Sequence, residues 1–202
     1  MSMKYYKLVL ATNNAHKLLE VREILEPHGI IVYSLNDLEL YPEDVPENAD
    51  TYYGNALIKA TSVAKLIDLP VIADDSGLEI EAMDNKPGLH SARFAKENGG
   101  HPQAIQKILS ILKENRKARF VCDIVMLNEE DKPLLFEGIA EGTIAQEPHG
   151  DSGFGYDPIF ICNATGKTYA EMGQDEKNRL SHRGLALAKL IQYLIDKEKI
   201  SR

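Results

Sequence analysis

The stretch VIADDSGLEIEAMDNKPGLHSARF, residues 71–94, decides how the chain is read. It opens on Val71, Ile72 and Ala73, the pattern of a short buried strand, and runs straight into the adjacent carboxylates Asp74 and Asp75, followed by Ser76 and Gly77. Strand, acid pair, then turn is the order found where a sheet ends at a ligand site. The strand holds a side chain rigidly and the following loop leaves it open. Two neighbouring carboxylates raise each other's pKa unless a cation or donors stand beside them, and a divalent metal satisfies both. The alternative is structural, with Asp74 capping a turn, Asp75 facing water and Ser76-Gly77 making a bend.

Upstream, residues 7–11, KLVLA, read as a buried first strand. Leu18, Leu19, Val21, Ile24 and Leu25 then recur at helical spacing from Ala15 to a stop at Pro27-His28-Gly29. Thr12-Asn13-Asn14 at the junction caps that helix, and the exposed amides of its first turn, with Lys17, make a seat for phosphate. There is no GxxxxGK loop, so a P-loop hydrolase is excluded, and an ordinary capped helix with a solvated lysine is the other reading. Residues 30–34 form a second strand. Residues 36–50, NDLELYPEDVPENAD, are acidic, proline-containing and irregular. Glu43, Asp44, Glu47 and Asp50 are candidates there for a metal ligand, since magnesium takes one or two carboxylates and completes its shell with water and phosphate. Residues 51–68 read as a helix with Ala56, Leu57, Ala60, Val63, Ala64 and Ile67 inward, and Lys59 as surface charge.

Downstream, Pro87-Gly88 is a turn, Ser91 to Phe94 lead to Gly99-Gly100, and His101-Pro102 opens a helix reaching about residue 114. Residues 118–127 and 134–145 are two long strands joined by a polar turn. The second alternates so that one face is covered and one wet. HGDSGFGYDPIF, residues 149–160, is a glycine-rich loop whose Phe154 and Tyr156 either stack on a planar ring or plug the core. A short helical turn and a final amphipathic helix over Leu185, Leu187, Leu190, Ile191 and Leu194 close the chain. Lys177, Ser181, His182 and Arg183 stand just ahead of it. Cations at a helix start oppose the macrodipole, which points to a use other than stability.

The 202 residues, 44% hydrophobic and 27% charged, make one globular domain spanning 1–202. A net charge of -8 without a basic stripe excludes a sequence-independent nucleic-acid binder. Cys122 and Cys162 lie far apart and form no CxxC pair, so both are read as buried free thiols. No run is long and apolar enough to span a membrane, and MSMKYYKLVLATNN lacks a signal-peptide pattern, so a cytoplasmic location is expected. Strands alternating with helices, then a hairpin, give an α/β fold with a mixed sheet flanked by helices.

Six segments in order, ATNNAHKLLEV (11–21), TYYGNALIKA (51–60), IADDSGLEIEAM (72–83), PGLHSARFA (87–95), FGYDPIF (154–160) and AEMGQDEKNRLSHRGLAL (170–187), resemble the inosine/xanthosine triphosphate pyrophosphatase family along nearly the whole chain. The resemblance implies an elongated mixed β-sheet in two lobes with a central active-site cleft, and a homodimer. It also implies magnesium-dependent hydrolysis of ITP, dITP and XTP to the monophosphate and pyrophosphate, which cleanses the nucleotide pool. By position it makes Asp75 the general base and a metal ligand, with Asp74 in support. Thr12, Asn13, Asn14 and Lys17 fall at the triphosphate and Ser76 on the substrate. Phe154, Gly155, Tyr156, Asp157 and Lys177 fall at base and sugar, and His182 and Arg183 at the purine. Glu47 is assigned as the second metal carboxylate. Where the family carries EETGxTFxENA, this chain reads PENADTYYGNA, with Pro46 and Gly54 in place of acids and Ala49 in place of glycine. Asn13 and His16 stand where glycines are common. These departures leave two alternatives in view: a nucleotide-binding module without chemistry, and a pyrophosphatase for modified pyrimidine nucleotides.

Overall fold

The computed structural model describes residues 5–201, so Met1 to Lys4 of the N-terminal stretch read above lie outside it. The order of elements is β1 Tyr6–Leu10, α1 Ala15–Leu25, β2 Ile30–Tyr33, α2 Tyr52–Ala64, β3 Val71–Ile80, β4 Lys86–Pro87, α3 Ser91–Glu97, α4 His101–Ile111, β5 Lys117–Leu127, β6 Leu134–Ile144, β7 Phe160–Cys162, α5 Gln174–Leu180 and α6 His182–Asp196. Seven strands form a mixed sheet in the order β2-β1-β3-β5-β6-β7, with β4 beside β3. β1 runs parallel to β2 and β3, whereas β3/β4 and β6/β7 are antiparallel. The mixed α/β class read from the alternation of strands and helices is the observed one.

Contacts divide the chain into two compact units: residues 5–75, Asp123–Glu137 and 186–201 in the first, and Ser76–Cys122 with Gly138–Leu185 in the second. β3, β5, β6 and α6 each contribute residues to both. In the first unit Val9, Ala11, Ala56, Ala60, Val63, Val71, Ala73 and Val125 form the core. That core sets α2 against the parallel strands β1 and β3. In the second, Leu78, Ile80, Ile105, Ile108, Phe120, Ile144, Phe160 and Tyr169 do so, and each such fully buried side chain contributes about 2 kcal/mol.

One expectation is overturned at the opening stretch. Asp74, Asp75, Ser76 and Gly77 are not a turn after a three-residue strand. They sit in the middle of ten-residue β3, which is buried at eight positions and half-buried at Ser76 and Glu79. The strand continues because it is flanked on both halves: Val71 and Ile72 pair with Val9 and Leu10, and Glu79 and Ile80 pair with Pro87 and Lys86. Backbone groups satisfied from the sheet on both halves leave no reason to bend.

Smaller differences have equally local causes. α2 ends at Ala64 with Lys65 as its cap, short of residue 68, and Asn128 reaches the carbonyls of Ala64, Ile67 and Leu69 that follow its last turn. Leu19 is 55% exposed while Glu20 is buried, so α1 turns its face by one residue. Residues 91–97 form helix α3, which the short run before the glycine pair did not disclose, and α4 stops at Ile111. β6 shows the expected alternation, with Glu137 and Glu141 outward. Neither cysteine forms a disulfide, and both are buried. Among the described residues no helix is long and apolar enough to cross a membrane.

Candidate active site

In the first unit, Asn14 accepts from the backbone N–H of His16 (3.0 Å) and Lys17 (3.2 Å) and so caps α1, while Thr12 Oγ1 accepts from Asn14 N–H at 3.1 Å. Asn13 and Asn14 are exposed. The cap projects Lys17 back over its own N-terminus, and its Nζ lies 2.9 Å from Asp74 Oδ2, with Asp74 buried. The capping reading is the observed one, since the side chain of Asn14 seals two first-turn amides, but Lys17 is paired with a buried carboxylate and does not stand free in water.

Beside Asp74, Asp75 accepts from Asn55 Nδ2 at 3.1 Å through Oδ2, and its Oδ1 is 3.5 Å from Lys59 Nζ. Lys59 also pairs with Glu47 at 3.0 Å. Burial raises the Asp75 carboxyl above the usual carboxylate range, and Lys59, Asn55 and Lys17 pull it partly back. Burial pushes the Lys59 ammonium down, but Asp74, Asp75 and Glu47 outweigh that and hold it above the ordinary lysine value. Lys59 and Asn55 are the residues that sequence reading missed. Their signal is a polar pair spaced four apart on α2, flanking the apolar Ala56 and Ala60, which places both on the buried side of the helix.

A third acid joins this unit. Asp123 on β5 is 7% exposed, and its Oδ1 has no hydrogen-bond partner. Burial, then Glu137, lifts its pKa to about 6, the Tyr53 N–H opposes the shift, and Asp75 adds to it.

Whether this set suits magnesium is tested by the cation already there. The Lys59 ammonium lies between Glu47 and Asp75, so the two carboxylates converge on one positive charge. All donors are oxygens, as a hard cation requires. Among the described residues no group of three or more His, Cys, Asp or Glu forms a protein-only metal cage. Two carboxylates with the balance from water and phosphate match the usual magnesium arrangement.

The altered acidic loop is internally compensated. A Cβ at Gly54 would meet the Ala49 Cβ at 2.5 Å and Thr51 Oγ1 at 3.0 Å. With alanine at 49, position 54 has no room for the acid seen in the family pattern. Ala49 N–H donates to Asn55 Oδ1 at 3.0 Å, which keeps Asn55 aimed at Asp75.

In the second unit the polar groups are held by packing. Asp157 Oδ2 accepts from Phe154 N–H at 2.8 Å and from Lys177 Nζ at 2.7 Å, and both charged side chains are about 95% buried. Gly153, at φ +78°, gives the loop room, since any Cβ there would overlap the Asp157 carboxylate. Lys177 Nζ lies 4.8 Å over the Phe154 ring. Tyr156 takes the core alternative: it is 4% exposed, and its hydroxyl donates to the Ser91 carbonyl at 2.8 Å. His101 packs edge-on against it at 5.1 Å, and burial lowers the imidazole pKa. Phe154 and Gly155 are half-buried.

His182 and Arg183 open α6 and are 6% and 2% exposed. Ser181 Oγ accepts from Gly184 N–H at 3.1 Å, and Gly184 packs so closely on the Asn178 carbonyl that a Cβ would overlap it. That close approach fixes the corner from which both side chains leave. Arg183 donates to Ser76 Oγ at 3.3 Å. The His182 ring stacks on Phe120.

The model of the Ham1 family matches residues 8–193. A dITP/XTP pyrophosphatase of Porphyromonas gingivalis is 48% identical over 192 residues, covering 94% of this chain and 97% of its own length. One of Bacillus subtilis is 45% identical over 190 residues, covering 92% and 96%. Among solved structures, a HAM1 protein of Coxiella burnetii superposes with a TM-score of 0.83 at 39% identity, covering 95% of this chain and 99% of its own. The resemblance carried by the six motifs is borne out.

Proposed function

The chain belongs to the Ham1 family, and from that membership we infer that it hydrolyses dITP and XTP to the monophosphate and pyrophosphate. The observation that carries the reading to its residues is the pairing of Lys17 with Asp74 and of Lys59 with both Asp75 and Glu47 in one unit. Cleaving a phosphoric anhydride needs positive charge on the phosphates and an oriented, deprotonated water.

Thr12, Asn13, Asn14 and Lys17 bind the triphosphate, with Lys17 exchanging Asp74 for phosphate oxygen. Asp75 takes the proton of the attacking water. Its carboxylate is directed by Asn55 and kept ionised by Lys59, against a burial that makes it a stronger base than an exposed aspartate. Glu47 and Asp75 are the carboxylates that would hold magnesium, which when bound neutralises phosphate charge. On the second unit, Phe154 offers a ring face to the base, Gly155 leaves room beside it, and Tyr156, Asp157 and Lys177 hold that loop in shape. His182 and Arg183 donate to the 6-oxo group that hypoxanthine and xanthine present and adenine lacks, and Ser76 contacts substrate from beside Arg183. ITP shares the hypoxanthine base and is included as a substrate. A homodimer rests on the family likeness alone, and sedimentation of the purified chain checks it.

The deciding experiment measures pyrophosphate release from dITP, XTP, dGTP and dATP with magnesium and with EDTA. Turnover of dITP and XTP well above dATP, abolished by EDTA, is the expected result. Equal rates on all four defeat the specificity. Binding of dITP without any product returns the chain to the class of non-catalytic modules.

A further inference from the structure

His182 reads a base through an N–H that lies in the plane of its ring, so the plane sets the direction in which the proton points. A hydrogen bond weakens steeply as it leaves that line. The helix corner at Ser181 and Gly184 fixes the His182 backbone but not rotation about its last side-chain torsion, which for histidine is broad.

An aromatic set inside the second unit packs on that ring. Phe120, on β5, lies flat against the imidazole at 4.5 Å between centroids and 9° between planes. Tyr169 lies parallel to both rings, 5.7 Å from Phe120 at 11° and 6.2 Å from His182 at 12°. Phe160 meets Phe120 edge-on at 4.7 Å and 65° and is tilted against Tyr169 at 4.9 Å and 56°, so one ring packs against both of the parallel ones. Phe120, Phe160, Tyr169 and His182 are all under 8% exposed. Lys177 Nζ stands 6.0 Å over the Tyr169 ring while paired to Asp157, which ties the base-side loop to the same set.

We propose that Phe120 is a positioning residue for purine recognition, its ring face fixing the plane of the His182 imidazole and thereby the enzyme's preference for a 6-oxo over a 6-amino purine. Phe120 acts through His182. The proposal rests on the pyrophosphatase reading above.

Phe120→Leu keeps an apolar side chain on the strand and removes the flat face. The expected result is that the ratio of kcat/KM for dITP over dATP falls about five- to tenfold, the size of one aromatic contact. Saturated kcat for dITP stays within about threefold, and the His182 ring protons lose their upfield ring-current displacement in the NMR spectrum. Ile108→Val trims the same core outside the aromatic set, and it is expected to lower Tm comparably while leaving the ratio and the His182 signals in place. A Phe120→Leu enzyme as selective as the wild type, or an Ile108→Val enzyme that loses selectivity equally, overturns the proposal. A wild type that does not prefer dITP to dATP defeats the functional reading itself, a result distinct from either.

Discussion

The charged groups of the first unit and those of the second are held in opposite ways. Lys17, Lys59, Asp74, Asp75 and Glu47 are linked by ion pairs of 2.9 to 3.5 Å, and the lysines and Glu47 retain 16% to 46% side-chain exposure. Lys177 and Asp157 are sealed at 4% and 5%, and His182 and Arg183 are buried against a ring and a hydroxyl. Lys59 and Glu47, both partly wet, can part at low cost, because water takes over the charges that are released. A sealed pair cannot. The first arrangement suits groups that must let go of one another to take phosphate, and the second suits groups whose direction is the information.

The sharpest way to break this contrast is Asp75→Asn. With Asp75 as the proposed general base, turnover is expected to fall by about a thousandfold, while the near-isosteric amide leaves unfolding within a few degrees of wild type, read as pyrophosphate release beside a thermal melt. A large loss of stability without loss of turnover would reverse the roles given to the two regions. Lys177→Met is the opposite probe. It strands Asp157 in the interior, and urea unfolding should show a loss of about 3 kcal/mol. A loss below about 1 kcal/mol would place that pair with the exchangeable ones.

Gly184→Ala drives a Cβ into the Asn178 carbonyl and should cost about 2 kcal/mol while raising KM for dITP more than it lowers kcat, since it moves the corner that aims His182 and Arg183. An unchanged KM removes that corner from recognition. The last probe concerns Asp123. Its folded pKa, about 6, lies above the ordinary aspartate value, so the folded state grips the proton more tightly than the unfolded chain. The wild type therefore loses stability as pH rises from about 4 through 6, and Asp123→Asn, which has no proton to lose, does not. In metal-free buffer the variant should melt with the wild type near pH 4 and several degrees above it at pH 8. A gain confined to acid pH would contradict the buried environment assigned to Asp123.

Much of the fold is legible in the sequence because burial leaves a period behind. β1, β2, β5, β6, α1, α4 and α6 all follow from apolar spacing, and their ends shift by only a few residues. What is not legible depends on neighbours distant in sequence. DDSG reads as a turn until β1 and β4 pair either side of it, and no local signal announces them. β7 is three residues long and exists because Gly142, Thr143 and Ile144 of β6 offer it an edge. In the site, motif resemblance picks out Asp75, Lys17 and the His182-Arg183 pair, while local composition alone leaves each with a structural alternative. Lys59 looked like surface charge because a lysine in a helix usually is. Only the fold shows that its stripe faces Glu47 and Asp75.

The carboxylate of Asp157 is shared between the backbone N–H of Phe154 and the Lys177 ammonium, in space that Gly153 leaves vacant. Seen over generations, this makes residues 153, 157 and 177 one heritable character. A change at any one leaves a buried charge or a collision, so the effects of substitutions at the three positions do not add. Tyr41 and Leu135, by contrast, stand exposed, where a substitution is expected to change stability by less than about 0.5 kcal/mol.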